Sequence, residues 1–369
     1  MKLSCTKENL NQGLNIVGRL AKPQATLPVL SNILLKTENG RLKLSATDLE
    51  IGANCFIGAK IDKEGAVTIP AKLLIEYVMM NDDNKIELSV ENNTLNLKSE
   101  KYKAKIKGIA ANEFPLIPEI KEKVAASFSP SKFKEAITQV LIAPSYDETK
   151  PVLAGVYLKL SKKEARFAAT DSFRLAEKVI TFEKEEERAE KTVVIPARTL
   201  SEVSRIIALI QPSQAQIAIS SNQILFTLDD VEIISRLIEG SFPEYEAIIP
   251  KSTETQTVIS TSEFQNTLKI ANLFAKETGS NIKLEIKKSE ILVSAVSSLL
   301  GENTSKLKAE TEGPEVEITF NAKFILDALS VISAPKITLS VTGKLNPGLI
   351  KPFGQKDYLY LIMPLQTEE

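Results

Sequence analysis

The sequence contains no histidine. That absence removes Ser-His-Asp and Cys-His triads, imidazole proton shuttles and most catalytic zinc sites. Cysteine is nearly absent too. Cys5 and Cys55 cannot form a four-thiolate metal site, and two thiols point to a reducing compartment rather than a disulfide framework. Neither sign of charge dominates: 46 Lys+Arg face 47 Asp+Glu, a net charge of −1. This excludes a polycationic tail but leaves room for segregated charge. No apolar run approaches the ~18 residues of a membrane span. The start reaches Lys7 and Glu8 before any signal-peptide core develops. A soluble, cytoplasmic protein without membrane contact is therefore expected.

Catalytic phrases are missing as well. Thr342-Gly343-Lys344-Leu345 lacks the upstream glycine and the following Ser/Thr of a phosphate-binding loop, and no G-x-G-x-x-G occurs. Asp82-Asp83 and Asp229-Asp230 stand beside turn residues and read as solvated turns; Glu185-Glu186-Glu187 reads as a charge run. No catalytic residue, no metal ligand and no cofactor is expected. A histidine-free carboxylate-metal enzyme is one alternative class; a tandem-domain scaffold that binds only proteins is another.

What is present is repetition. With 369 residues, 43% hydrophobic and 25% charged, the chain is globular and long enough for two or three domains. Ile69-Pro70-Ala71-Lys72 returns as Ile195-Pro196-Ala197-Arg198 and, more loosely, as Phe320-Asn321-Ala322-Lys323. Ala46-Thr47-Asp48 returns as Ala169-Thr170-Asp171, and Phe114-Pro115 as Phe242-Pro243. The offsets cluster near 125 residues, so three tandem units are predicted, over 1–122, 123–250 and 251–369. Each opens on a helical pattern: Leu10, Leu14, Val17; then Phe133, Ile137, Val140; then Phe264, Leu268, Ala271. Alternating strands follow, then a second helix after each repeated phrase, then more strands. The second helices carry Leu73 and Leu74, then Val203, Ile206 and Ile207, then Phe324, Ile325, Ala328 and Leu329. Helices returning to one face of a sheet make this an α+β fold. The stretch 183–190 reads as a charged, hairpin-like insertion.

The repeated cation is the most informative feature. Lys72, Arg198 and Lys323 each fall in the first turn of a second helix, where a cation opposes the helix dipole. A phosphate backbone gives such placements a purpose; solvated surface cations are the plain alternative. Lys7, Asn11, Asn15, Arg19 and Lys22 share the polar face of the first helix, and Arg198, Glu202 and Arg205 share a face in the second unit. The six predicted helices sum to +4 and everything else to −5, which suits loose, sequence-independent contact with nucleic acid. Lys101-Tyr102-Lys103-Ala104-Lys105-Ile106-Lys107 alternates strictly. It reads either as a lysine-protected edge strand or as an edge that pairs with another subunit.

In this order and at these spacings, the phrases resemble the bacterial DNA polymerase III beta subunit family, the replication sliding clamps. The strongest stretches are Thr26-Leu27-Pro28-Val29-Leu30, Thr47-Asp48-Leu49-Glu50, Ala169-Thr170-Asp171 with Arg174-Leu175-Ala176, Ser241-Phe242-Pro243-Glu244-Tyr245 and Tyr360-Leu361-Ile362-Met363-Pro364-Leu365. The resemblance covers the whole chain. It implies three tandem repeats of one helix-and-antiparallel-sheet unit (the DNA clamp fold), assembled as a head-to-tail dimeric ring. Such a homodimer encircles duplex DNA without sequence preference and confers processivity without catalysis. A clamp loader, the replicative DNA polymerase and other proteins bearing clamp-binding motifs are the implied partners. Lys7, Arg19, Lys22, Lys72, Arg198, Arg205 and Lys323 would then face DNA. The implied partner-peptide pocket comprises Leu153, Thr170, Leu175, Pro243, Ile248, Asn321, Phe324, Leu345, Leu361, Met363, Pro364 and Leu365, with Arg174 at its rim. Ser172 and Phe173 stand where the family usually has Gly and then His or Tyr, which implies an altered partner preference. Leu273 and Phe274 match the family's subunit-contact residues, with Ala104 and Ile106 as their counterparts. Gln24 replaces a frequent basic residue, Gly279 a frequent aromatic, and the tail Gln366-Thr367-Glu368-Glu369 is acidic where some relatives are basic.

Overall fold

A computed structural model describes residues 1–21, 27–147, 149–183 and 189–365. Lys22, Gln24, residues 184–188 of the charged insertion and the acidic tail 366–369 lie outside the described residues.

One order of elements recurs three times. The first repeat runs β1 (Lys2–Thr6), α1 (Lys7–Val17), β2 (Asn32–Glu38), β3 (Arg41–Thr47), β4 (Ile51–Ile57), β5 (Lys60–Lys63), β6 (Ala66–Pro70), α2 (Ala71–Met80), β7 (Lys85–Glu91), β8 (Thr94–Lys98) and β9 (Lys103–Lys107). The second runs β10 (Val124–Phe128), α3 (Pro130–Val140), β11 (Gly155–Leu160), β12 (Glu164–Thr170), β13 (Arg174–Thr181), β14 (Lys191–Pro196), α4 (Ala197–Ile210), β15 (Ala215–Ile219), β16 (Gln223–Leu228) and β17 (Val231–Arg236). The third runs β18 (Thr255–Ser260), α5 (Thr261–Ala275), β19 (Asn281–Ile286), β20 (Glu290–Ser297), β21 (Gly301–Glu312), β22 (Val316–Asn321), α6 (Ala322–Val331), β23 (Lys336–Val341), β24 (Gly348–Pro352) and β25 (Tyr358–Ile362). In the first repeat, β4 and β5 together match the single long strand β21. The fold is a three-repeat, antiparallel α+β fold.

The repeated phrases mark the joints of this plan. Pro70 ends β6 and directly precedes α2, its φ of −51° already near that of a helix. Pro196 stands at the same joint, while Asn321 does the work differently: its side chain accepts from the Lys323 N–H at 2.9 Å and caps α6. The Thr-Asp phrase is a turn. Thr170 Oγ1 donates to the Arg174 carbonyl at 2.6 Å and accepts from the Ser172 N–H at 3.1 Å. Asp171 Oδ1 accepts from the Phe173 and Arg174 N–H groups at 2.9 and 3.0 Å. Thr47 and Asp48 make the same four bonds to Leu49, Glu50 and Ile51. A hydroxyl two residues from a left-handed position and a carboxylate beside it satisfy a tight β–β turn from within. The third repeat makes a shorter turn with Ser297 and a left-handed Gly301 (φ +95°).

Two compact units result: Met1–Ser131 with Glu202–Leu237, and Lys132–Ser201 with Ile238–Glu369. The second repeat is thus shared between them, because strands pair between repeats as regularly as within them. In the first unit, β17 pairs with β4, matching Ile51, Gly52, Ala53, Asn54 and Cys55 to Ser235, Ile234, Ile233, Glu232 and Val231. In the second unit, β25 pairs with β13, matching Arg174, Leu175, Ala176, Glu177 and Lys178 to Ile362, Leu361, Tyr360, Leu359 and Tyr358. Strands that share a position after the Thr-Asp turn share a register. The first unit therefore holds an eight-stranded sheet (β10-β15-β16-β17-β4-β3-β2-β6) and a five-stranded sheet (β5-β1-β7-β8-β9). The second holds one sheet of twelve strands (β14-β11-β12-β13-β25-β24-β23-β18-β21-β20-β19-β22), continuous because β21 pairs with both β20 and β18. The apolar positions predicted from helical spacing, Leu10, Leu14, Val17, Phe133, Ile137, Val140, Phe264, Leu268 and Ala271, are all buried. On the second helices Leu73 lies exposed on α2 and Phe324 is half-buried on α6, while the other predicted positions are buried.

Candidate nucleic-acid interface and peptide pocket

Lys72, Arg198 and Lys323 are each the second residue of their helix, and all three side chains are exposed. The strand-to-helix joint places them identically. Lys7 opens α1 and is half-buried, while Arg19 is exposed in a short 3₁₀ turn, Gly18–Leu20, beyond the end of α1. Arg205 has another task than the one expected of it. Its guanidinium donates to Glu202 Oε2 at 2.8 Å and to the Ile16 carbonyl at 2.9 Å, with a longer bond to the Asn15 carbonyl at 3.4 Å. It covers the open carbonyls at the C-terminal end of α1, a favourable place for a cation. Helical spacing could not reveal this, because α1 lies about 190 residues away in sequence.

The residues expected to line the partner-peptide pocket all belong to the second unit. Leu153, Thr170, Leu175 and Leu361 are buried. Phe173, Ile248, Leu345 and Met363 are exposed and apolar, and Pro243, near Ile248 in sequence, is exposed too. Backbone bonds hold the end of the chain across this region: the Met363 N–H donates to the Phe173 carbonyl at 2.9 Å and the Leu365 N–H to the Thr319 carbonyl at 2.9 Å. Pro364 and Leu365 are half-buried there. Ser172 lies in the left-handed region (φ +80°) and turns the Phe173 side chain outward.

Arg174 joins the parts. Its Nε donates to Asp171 Oδ2 at 2.9 Å, one Nη donates to Asp327, and the guanidinium lies 4.4 Å from the centre of the Phe324 ring. Burial works against its charge, but the neighbouring Tyr360, Asp327 and Asp171 outweigh it and keep the group cationic. Arg174 is itself buried, so it ties Asp171, Asp327 and Phe324 together rather than offering a free cation. Asn321, expected in the pocket, has its side chain committed to capping α6 and to the Gly279 carbonyl at 3.1 Å.

The proposed subunit-contact residues divide. Leu273 is 57% exposed on α5 and Phe274 is half-buried. Ala104 is half-buried in β9, but Ile106 is only 5% exposed, packed into its own unit where β9 pairs with β8. What β9 presents at Ile106 is a backbone edge, not a side chain. The sequence reading also passed over exposed apolar residues on these helices, among them Met79 (56%) and Met80 (72%) at the end of α2 and Ile270 (49%) on α5. Ile270 stands one helical turn before Leu273, a spacing that could have flagged it.

Models of the DNA polymerase III beta subunit match nearly the whole chain, its N-terminal domain over 1–118, its central domain over 127–244 and its C-terminal domain over 246–366. The chain belongs to the DNA polymerase III beta subunit family. Beta sliding clamps of Bacillus subtilis and Synechococcus elongatus are each 31% identical to it, over 100% and 99% of both chains. The crystal structure of the Bacillus subtilis DNA polymerase sliding clamp superposes with a TM-score of 0.95 at 30% identity, covering both chains fully. That of the DNA polymerase III beta subunit of Thermotoga maritima gives 0.93 at 27%, again over both chains fully. This DNA polymerase III beta subunit family member thus keeps a closely similar backbone at 30% and 27% identity to those two structures. No helix among the described residues is long and apolar enough to cross a membrane.

Proposed function

We propose that two copies of this chain close head to tail into a ring around duplex DNA and hold partner proteins on it through the pocket beside the C-terminal tail. Its function is that of a replication sliding clamp, and it needs no catalytic residues of its own. One observation carries the assembly. Each repeat junction made within the chain uses the strand after the Thr-Asp turn and the last strand of the next repeat, in one register. The third pair of such strands, β21 and β9, is left over. Among the described residues, β9 pairs only with β8, and residues 301–308 of β21 pair only with β20. A head-to-tail contact between these edges that closes gives a ring, and two chains supply six repeats.

The register extends to the open junction. Pro70, Pro196 and Asn321 pair with Asn32, Gly155 and Asn281, which aligns the three repeats. By that alignment Gly301 stands where Ile51 and Arg174 stand, and Ile106 where Ser235 and Ile362 stand. Glu302 would then lie opposite Lys105 of the partner subunit, and Asn303 opposite Ala104 of the partner subunit. An acid opposite a lysine is a favourable cross-strand pair. The helices agree. Arg205 of α4 reaches the end of α1, and Gln139 of α3 donates to the Val331 carbonyl of α6 at 3.4 Å. The matching positions at the open junction are Ile270 on α5 and Met79 and Met80 on α2, the exposed apolar residues left without an explanation above. Replacing Leu273 and Phe274 with aspartate is expected to give monomers at micromolar concentration by sedimentation velocity. An unchanged dimer would contradict the interface.

DNA contact is assigned to Lys7, Arg19, Lys72, Arg198 and Lys323. Reversing Lys72, Arg198 and Lys323 to glutamate should flatten the dependence of log K on log salt by about 3 per chain, if each cation neutralises one phosphate. An unaltered slope would remove these residues from the DNA-facing surface.

The function is tested by topology. Protein placed on nicked circular plasmid by a clamp loader should survive gel filtration in high salt and fall off once the plasmid is linearised. Equal retention on both forms would mean ordinary binding and would count against encirclement.

A further inference from the structure

The first unit holds a cavity of about 540 Å³ between the sheet face of β2, β3, β4, β16 and β17 and the strap of residues 111–121, with Lys36, Lys43 and Lys121 among its charged lining residues. The corresponding space in the second repeat is full. There Tyr245, on the strap after β17, is buried, and its hydroxyl donates to Glu177 Oε2 at 2.6 Å. Its ring meets those of Tyr157 and Phe242 edge-on, each 6.0 Å away, and packs in a cluster with Leu175. In the first repeat Ile117 follows Phe114-Pro115 at the spacing by which Tyr245 follows Phe242-Pro243. By the strand registers, Leu34 stands in place of Tyr157 and Gly52 in place of Leu175. Two phenol rings and a leucine side chain are thereby missing. Ile117 leans into part of the gap: a β-carbon on Gly52 would lie 2.9 Å from its Cγ2.

The floor of the cavity is polar and aligned. Ser45 Oγ donates to Asn54 Oδ1 at 2.8 Å, and Asn54 Nδ2 donates to Glu232 Oε2 at 3.0 Å. Asn54 occupies the strand position of Glu177, and Glu232 is its half-buried neighbour on β17. A carboxylate thus sits beneath a ring-sized space, as one does in the second repeat. The volume lies within the range of small-molecule sites, which pair apolar walls with a few fixed polar groups.

We infer that this cavity is a binding site for a hydroxyaryl ring, whose hydroxyl donates to the Glu232 carboxylate as Tyr245 donates to Glu177. The ring comes either from a free phenol or from a tyrosine side chain on a peptide; the chemistry of recognition is the same. This site lies within the first unit and does not depend on assembly or on the tail pocket.

The test is a titration of the full-length protein, labelled at Leu and Ile methyls, with p-cresol, toluene and N-acetyltyrosinamide. Saturable shifts centred on Leu34, Ile117 and Ile234 are expected, with p-cresol bound at least tenfold more tightly than toluene. Ile117→Tyr, which refills the space from the strap, and Leu34→Tyr, which refills it from the sheet, should each abolish these shifts while keeping the thermal midpoint. Glu232→Leu, which installs the residue found at the matching Leu359, should bring p-cresol to within twofold of toluene. Tighter N-acetyltyrosinamide than p-cresol assigns the site to a peptide; the reverse assigns it to a free phenol. Shifts elsewhere, equal affinity for toluene and p-cresol in the unmodified protein, or binding that survives both filled variants would overturn the inference.

Discussion

Oxidation of a protein carrying Asn303→Cys and Ala104→Cys is expected to convert nearly all of it into a covalently closed dimer. The two junctions within the chain place the reason on view. The Phe56 N–H donates to the Asp230 carbonyl at 3.0 Å, and the Val179 N–H to the Asp357 carbonyl at 2.8 Å. Counting along each ladder from those bonds, Ala53 and Ile233 form a non-hydrogen-bonded pair, as do Ala176 and Tyr360. In the proposed ring, Asn303 and Ala104 of the partner subunit would be the matching pair. Such pairs bring Cα atoms to about 4.5 Å, within the span of a disulfide. The background is low, because Cys5 and Cys55 are buried and free and burial pushes both thiols up to about 12. Non-reducing gel electrophoresis reads the result. Thr304→Cys with Ala104→Cys, one residue out of register, should crosslink poorly. Equal crosslinking by both variants, or none by the first, would reject the inferred register.

Removing residues 363–369 should weaken a fluorescent peptide with aliphatic and aromatic anchors by roughly a hundredfold, measured by anisotropy. The same truncated protein should still sediment as a dimer. The deletion takes the exposed Met363, the half-buried Pro364 and Leu365, and the backbone bonds to Phe173 and Thr319. It spares β25, whose ladder with β13 ends at Ile362. A flexible thioether at the mouth of the proposed pocket would suit side chains of several shapes. Met363→Ala alone should lose about tenfold, as one buried anchor contact typically does. Affinity kept by the truncated protein would refute the pocket.

The buried support beneath that pocket gives these changes their separation. Glu177 and Lys178 are adjacent on β13 and point to opposite faces. Glu177 pairs with Arg166 at 3.0 Å and with Tyr245; Lys178 pairs with Glu135 at 3.1 Å and Asp357 at 2.8 Å. Both are buried and fully partnered, so the strand that carries the rim turn is held from both sides. Loss of tail contacts therefore leaves the Thr170-to-Arg174 turn in place.

Much of this protein was legible in the sequence, for local reasons. Helix faces follow from residues three and four apart, and Leu10, Leu14 and Val17 lie inward as that spacing requires. The Thr47-Asp48 and Thr170-Asp171 phrases recur because one tight turn needs a hydroxyl and a carboxylate at fixed positions. Lys72, Arg198 and Lys323 recur because one strand-to-helix joint recurs. The likeness of these phrases to a family then carried the fold and the function together. What only the tertiary structure decided depends on partners far away in the chain. Arg205 reads as a helix-face cation until the carbonyls of Asn15 and Ile16 are placed beside it. Ile106 reads as a contact residue until β8 and its own core enclose it. Met79, Met80 and Ile270 pass unremarked in the sequence until the fold leaves them in water. The cavity above Glu232 exists only because two smaller side chains and a glycine, distant in sequence, meet where the second repeat brings together two tyrosines and a leucine. Spacing fixes which face of an element a residue takes; only packing between distant segments fixes whether that face is filled, open or joined to another chain.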